Sequence, residues 1–271
     1  MRRFILSAGF LFAAGANAFA QSPVQRGEYL VNSIMNCGNC HTPPGPDGAA
    51  KPLSGGIQFD TPAFKVSAPN ITPDKQTGIG NWTADQIKDA IMKGVRPDGK
   101  VLAVMPTNYY TILTQRDADA IVAYLRSIKP IKNEMPVPEY KVVLKQEAPP
   151  PGPGKINRKA RRGHYLATIG HCMECHSPRE KGESQVATQM GVGKHEFKGP
   201  WGLSVSRNIT SDKEKGLGSW TDAEIKRAIA SGVSRNGEKL KPPMGFSGYA
   251  KISDKDMSDL VAYLRTVPAK Q

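Results

Sequence analysis

Cys37-Gly38-Asn39-Cys40-His41 recurs in the second half of the chain as Cys172-Met173-Glu174-Cys175-His176. Cys-x-x-Cys-His is the attachment signature of a c-type haem. Two thiols add across the two vinyl groups of the porphyrin, and the neighbouring imidazole becomes an iron ligand. The chain holds four cysteines, and the two motifs use all of them, so it reads as carrying two covalently bound c-type haems. The competing readings are a disulfide in each motif or an all-cysteine zinc site. Both copies end in His, both sit in duplicated surroundings, and an export signal precedes them, which favours haem.

The duplication extends well beyond the motifs. Arg26-Gly27-Glu28-Tyr29-Leu30 matches Arg162-Gly163-His164-Tyr165-Leu166, and Asn70-Ile71-Thr72 matches Asn208-Ile209-Thr210. Gly78-Ile79-Gly80-Asn81-Trp82-Thr83 matches Gly216-Leu217-Gly218-Ser219-Trp220-Thr221, and Ala123-Tyr124-Leu125-Arg126 matches Ala262-Tyr263-Leu264-Arg265. The order is kept, so each half is expected to be one single-haem domain, residues 21–130 and 160–271. Residues 131–159, with the run Pro149-Pro150-Pro151-Gly152-Pro153-Gly154, read as a Pro-rich linker that cannot form a regular helix.

Residues 1–20 read as a secretory signal peptide. Arg2-Arg3 is the basic start, residues 4–16 are apolar but too short to span a bilayer, and Ala18-Phe19-Ala20 is the cleavage site. The expected location is the periplasm, with no membrane span in the mature chain. Hydrophobic residues are 39% and aromatics 7%, lean for a protein-only core but adequate where each haem adds a large apolar body. The 27 glycines and 22 prolines suit short helices joined by long loops.

Three helices are expected per half. The first spans residues 25–35 and delivers the motif. The second starts at a capping box, Thr83 with Gln86 and Thr221 with Glu224, and stops at Gly94 or Gly232. The third starts near Thr114 or Ser253 with Asp117 or Asp256 in its first turn. Its apolar stripes are Ile121, Val122, Leu125, Ile128 and Met257, Leu260, Val261, Leu264, read as packing core.

His41 and His176 each supply one iron ligand, and the second ligand decides between electron transfer and chemistry at iron. Met105 and Met244 are the candidates, since both lie at repeat-equivalent positions in Pro-containing loops before the last helix. His195, on a Gly-rich loop of the second half, is the rival to Met244. The carbonyls of Pro43 and Pro178 are candidates to accept the other imidazole N–H. Trp82 and Trp220 either donate to haem propionates or pack the core, and Asn70 and Asn208 either shape the propionate loop or simply make a turn.

On these motifs the two halves resemble class I cytochrome c domains, which implies an all-α fold of two tandem domains, each a few short helices and long loops around one haem. The Gly-x-Gly-x-Trp-Thr element, the Met loop and the Ala-Tyr-Leu-Arg helix further resemble cytochrome c subunits of periplasmic alcohol, aldehyde and sugar-acid dehydrogenases. The resemblance implies an electron carrier that is no enzyme by itself, with a periplasmic dehydrogenase as donor and a cytochrome or terminal oxidase as acceptor. Many such subunits carry three haems and a C-terminal anchor; two motifs and no anchor are seen here. The alternative is a dihaem enzyme acting at iron, of peroxidase or thiosulfate-oxidising type. A matching Met in each half and the lack of a spare Cys weigh against it.

Formal charge is +13, and +11 once Arg2 and Arg3 leave with the signal peptide. A basic surface suits steering toward an acidic protein, and nucleic acid is excluded by the expected compartment. Lys155-Ile156-Asn157-Arg158-Lys159-Ala160-Arg161-Arg162 is the densest basic run, either a solvated linker end or a docking patch.

Overall fold

The structure is a computed structural model that describes residues 21–45, 47–102, 104–143 and 146–271; the expected signal peptide lies outside these residues. In chain order the first half folds as α1 (Pro23–Tyr29), a π-turn (Leu30–Ile34), α2 (Gly38–His41), α3 (Asp47–Ala50), β1 (Gln58–Asp60), β2 (Phe64–Ser67), α4 (Ala84–Met92), α5 (Thr107–Tyr110) and α6 (Gln115–Ser127). The connector adds β3 (Glu139–Tyr140). The second half follows as α7 (Arg158–Ile169), α8 (Cys172–Cys175), β4 (Arg179–Glu180), β5 (Glu183–Ser184), α9 (Val186–Gln189), β6 (Glu196–Gly199), β7 (Gly202–Val205), α10 (Asp222–Ser231), α11 (Phe246–Tyr249) and α12 (Asp254–Leu264).

The first helix of each half shows how one residue is absorbed. Arg26 lies eleven residues before Cys37, but Arg162 lies ten before Cys172. In the second half α7 runs unbroken, capped by the Asn157 side chain. In the first half the extra residue is taken up as the π-turn after α1, where Met35 N–H bonds Leu30 O and Cys37 N–H bonds Val31 O. The motif therefore emerges at the equivalent place in both halves.

Helices α4 and α10 begin at complete capping boxes, Thr83–Gln86 and Thr221–Glu224. They end against Gly94 (φ 65°) and Gly232 (φ 64°), which hold the left-handed conformation a helix stop requires. Helices α6 and α12 are capped by Thr114 and Ser253, and their apolar stripes are buried as their spacing demands, except that Ile128 lies just past α6 in extended conformation and is half-buried. Each crosses the first helix of its own half. A Cβ on Gly27 would lie 1.9 Å from Ala120 O, and one on Gly163 would lie 1.8 Å from Asp259 O. Glycine at these two points lets the backbones touch.

The all-α expectation needs correction: the protein is helix-rich but carries short strands. β1–β2 and β6–β7 are equivalent antiparallel hairpins, Gln58 pairing Ser67 and Glu196 pairing Val205, with a further pair β4–β5. Loops that wrap a cofactor must satisfy their own backbone donors, and pairing across a hairpin does so where no helix can form. The Pro-rich connector is laid over the first half. β3 pairs with β2, Asn70 donates to Ile131 O at 2.7 Å, and Asn133 donates to Ser54 O at 2.9 Å. Farther on, Asn108 donates to Ala148 O at 3.0 Å and Gln146 to Lys93 O at 2.7 Å. Among the described residues no helix is long and apolar enough to cross a membrane.

The halves share one hydrophobic core, in which Leu30, Val31 and Ile34 join Leu166, Ile169 and Met173. Two crossed clamps flank it. Arg26 holds Asp117 through two hydrogen bonds of 2.9 and 2.8 Å, and Tyr165 from the other half donates to the same carboxylate at 2.7 Å. Reciprocally, Arg162 holds Asp256 at 3.1 and 2.6 Å, and Tyr29 donates to it at 2.9 Å. The third-helix aspartates, expected only as first-turn residues, thus tie the halves together.

Burial alone would raise the Asp117 carboxyl, but the hydrogen bonds from Arg26 and Tyr165 and the Arg26 charge more than offset it and hold it below its ordinary value. A carboxyl so depressed stabilises the fold above the ordinary carboxylate pKa. It gives that stability up as pH falls through the depressed value. Arg26→Met is expected to cost roughly 2 kcal/mol at neutral pH, less than a fully buried pair because Arg26 keeps some solvent contact. It also moves acid unfolding to higher pH. Urea melts across the acid range check both, and an unmoved acid midpoint would count against the clamp.

Candidate functional site

His41 sits at the end of α2 with Nδ1 2.8 Å from Pro69 O; His176, just past α8, has Nδ1 2.7 Å from Arg207 O. A carbonyl only accepts, so Nδ1 carries the proton and Nε2 keeps a free lone pair for a metal. Burial lowers the pKa of both imidazoles against the effect of these bonds, which keeps them neutral and ligand-competent. The acceptors are therefore not Pro43 and Pro178. Pro178 O instead accepts the Gln185 amide, and Pro43 O lies against Gly48. Two residues past the ring, the chain is still leaving the motif. The hairpins β1–β2 and β6–β7 then turn it back and bring Pro69 and Arg207 under the imidazoles.

The four cysteines are unpaired. Burial pushes Cys37 up to about 12 and Cys40 and Cys172 up to about 11, and drives Cys175 well above its ordinary value. Among the described residues, the metal-ligating side chains that gather within 4.8 Å are His171, Glu174 and Cys175, and the four sulfurs do not gather into one cluster.

Both motifs line a single continuous cavity of about 3440 Å³. Pockets for small organic ligands run to about 1,000 Å³, so this volume suits two large groups. Cys37, Cys40, His41, Met105, Trp82 and Asn70 line it from the first half, and Cys172, Cys175, His176, Met244, Trp220 and Asn208 from the second. Ile34, Ile87, Ile225 and Leu260 make its apolar wall. His195 Nδ1 and Trp201 Nε1 are buried on this lining without hydrogen-bond partners. The buried indole N–H of Trp201 only donates and calls for an acceptor, while His195 Nδ1 donates or accepts according to its tautomer; a haem propionate would meet the need of the indole. Apolar walls, two thiol pairs, a free imidazole nitrogen beside each pair and an orphaned indole donor together fit a c-type haem.

Several expected residues take a definite structural role. Asn70 Oδ1 accepts from Thr72 N at 2.9 Å while its amide grips Ile131 O, and Asn208 does the same with Thr210 at 2.8 Å and Lys270 O at 2.6 Å. These asparagines tie each cavity loop to the segment that closes the half. Trp82 and Trp220 pack on the core, and Arg96 lies 5.6 Å from the centre of the Trp82 ring. His195 is carried beside His176: Gly193 N–H bonds His176 O at 2.8 Å and Ser206 N–H bonds His195 O at 2.9 Å. In the first half Gly55 N–H bonds His41 O and Ala68 N–H bonds Ile57 O, both at 2.9 Å. His195 therefore holds the place of Ile57, on the histidine side of its pocket.

Trp201 and Arg96 were not singled out by sequence reading. Trp201 has no repeat partner, and Arg96 declares itself only by stacking on Trp82.

The family model for "Cytochrome c" matches residues 160–268, and that for "Cytochrome C oxidase, cbb3-type, subunit III" matches residues 22–125. The chain is 31% identical to the fructose dehydrogenase cytochrome subunit of Gluconobacter japonicus, over 96% of this chain and 58% of that protein. It is 28% identical to the cytochrome c subunit of a quinone alcohol dehydrogenase of Gluconobacter oxydans, over 95% of this chain and 57% of that one. The same identity, 28%, links it to a diheme cytochrome c-type protein of Cereibacter sphaeroides, over 86% of this chain and 82% of that one. The chain thus spans under three-fifths of the length of the two dehydrogenase subunits. With one match in each half, the chain carries two cytochrome c family domains and is related to the cytochrome c subunits of fructose and alcohol dehydrogenases.

Proposed function

We propose that this protein is a periplasmic dihaem electron carrier that takes electrons from a partner dehydrogenase and passes them to a cytochrome or terminal oxidase. The observation that carries the reading is the continuous cavity lined by both Cys-x-x-Cys-His motifs and by a methionine loop from each half. Bound there, a c-type haem supplies a one-electron iron couple. Cys37 and Cys40, and Cys172 and Cys175, would hold the two macrocycles through their thiols. Nε2 of His41 and of His176, oriented by Pro69 and Arg207, would bind the iron, with Met105 and Met244 as the second ligands. The position of His195 on the histidine side of its pocket supports Met244 over it as the second ligand. A thioether is neutral and favours ferrous iron, which raises the potential of the couple, while the apolar walls keep water from the iron.

The printed names of the relatives, subunits of fructose and alcohol dehydrogenases, support a dehydrogenase donor. The signal-like residues 1–20 support export. Exposed Arg158, Lys159 and Arg161 at the start of α7 offer a basic patch for an acidic partner. Catalysis at iron needs an open ligand position, and a cavity-lining methionine in each half stands against it.

Reductive titration of the ferric protein is the test. It should take up two electrons per chain, the reduced protein should leave carbon monoxide unbound and peroxide unconsumed, and the ferric protein should not be reduced by thiosulfate. A haem that binds carbon monoxide or turns over peroxide would replace the carrier with the enzyme reading.

A further inference from the structure

We propose that Asn36 and Asn39, which flank and enter the first haem motif, are positioning residues for Met244, the ligand loop of the second site. Asn36 donates from Nδ2 to Gly245 O at 3.3 Å, and Asn39 donates from Nδ2 to Pro243 O at 3.1 Å. The two accepting carbonyls belong to the residues on either side of Met244. The loop is shaped for this contact. A Cβ on Gly245 would lie 1.8 Å from Asn36 Nδ2, and one on Gly248 would lie 2.6 Å from Asn36 Oδ1. Two glycines thus make room for one asparagine side chain from the other half. Asn36 itself holds φ 47°, a left-handed conformation that asparagine tolerates, and this aims its amide across the interface.

The arrangement is one-sided. Repeat-equivalent to Asn36 and Asn39 are His171 and Glu174, and in place of Gly245 and Gly248 the first half has Pro106 and Tyr109. His171 meets Tyr110 edge-on, ring centres 6.3 Å apart, and its Nδ1 finds no hydrogen-bond partner among the described residues. The first half therefore grips the ligand loop of the second through two amide hydrogen bonds, and among the described residues the second returns no equivalent grip on the Met105 loop. Within each loop the local bond is matched, Thr107 N–H to Met105 O at 2.7 Å and Phe246 N–H to Met244 O at 3.0 Å. What differs is the support from across the interface.

The proposal rests on the reading of Met244 as a ligand. Met105→His in the haem-loaded protein silences the methionine signal of the first iron, so the far-red methionine-to-iron band of the ferric protein then reports Met244 alone. Asn36→Gly suits the left-handed backbone and Asn39→Ala suits the short helix, so the pair removes both amides without new strain. Imidazole titration of the ferric protein then measures how readily the methionine is displaced. The pair should tighten imidazole binding in the Met105→His protein by roughly tenfold, the scale expected for two lost hydrogen bonds. In the reciprocal Met244→His protein the same pair should leave imidazole binding at the first iron unchanged. No change in the first background, or an equal change in both, overturns the proposal. A Met105→His protein with no methionine band before any asparagine is altered overturns the ligand reading itself.

Discussion

Cys172→Ser with Cys175→Ser is expected to yield a protein with half the haem absorbance per polypeptide and a mass lower by one haem. Each motif has its own thiol pair and its own buried imidazole, and the two pairs share no residue. Attachment at the first motif should therefore survive. The lost group leaves Ile225, Leu260 and Ile209 lining an apolar void, and burial of each such side chain stabilises by about 1.5–3 kcal/mol only when the void is filled. The variant should unfold at clearly lower denaturant than the parent. Intact-protein mass and a denaturant melt followed in the haem band and by far-ultraviolet circular dichroism check this. Loss of both haems would mean that the motifs act as one site.

Gly163→Ala is expected to destabilise the second half by about 2 kcal/mol or more. Two effects oppose each other. Alanine is the better helix former by about 1 kcal/mol, and Gly163 lies inside α7. Against that, the new methyl group would sit 1.8 Å from Asp259 O on α12. The obstacle is backbone, so relief requires the two helices to move apart; overpacking that shifts backbone typically costs about 1–3 kcal/mol, occasionally more, and so short an approach lies at the upper end. The steric term wins. Gly27→Ala should do the same to the first half, where Ala120 O is 1.9 Å from the added atom. Thermal melts followed in the haem band and by far-ultraviolet circular dichroism measure the loss, and a variant as stable as the parent would show that the helices separate freely.

Which residues were legible in advance follows from the range of the interactions involved. The capping boxes at Thr83 and Thr221 depend on contacts three residues apart, so the local string suffices to place α4 and α10. The apolar stripes of α6 and α12 are legible for the same reason, since helical spacing alone places Ile121 with Leu125 and Leu260 with Leu264 on one face. The imidazole acceptors were not. Pro69 lies 28 residues from His41 and Arg207 lies 31 from His176, and nothing in the spacing announces that the hairpins return there. The short strands were missed because three- and four-residue segments in Gly- and Pro-rich loops show too little alternation to stand out. The connector was recognised by its prolines, but the face it lies on is set by Asn70, Asn108 and Asn133, whose partners are remote in sequence.

The sequence by itself determined the cofactor chemistry and the twofold domain plan, because Cys-x-x-Cys-His is a contiguous covalent signature and a duplication is visible as repeated order. Only the tertiary structure decided how the halves meet. Tyr29 reaches Asp256 across 227 positions, Tyr165 reaches Asp117 across 48, and Asn36 reaches Gly245 across 209. Such contacts arise when two packed surfaces bring donor and acceptor together, and a side chain selected for that role carries no local mark of its partner.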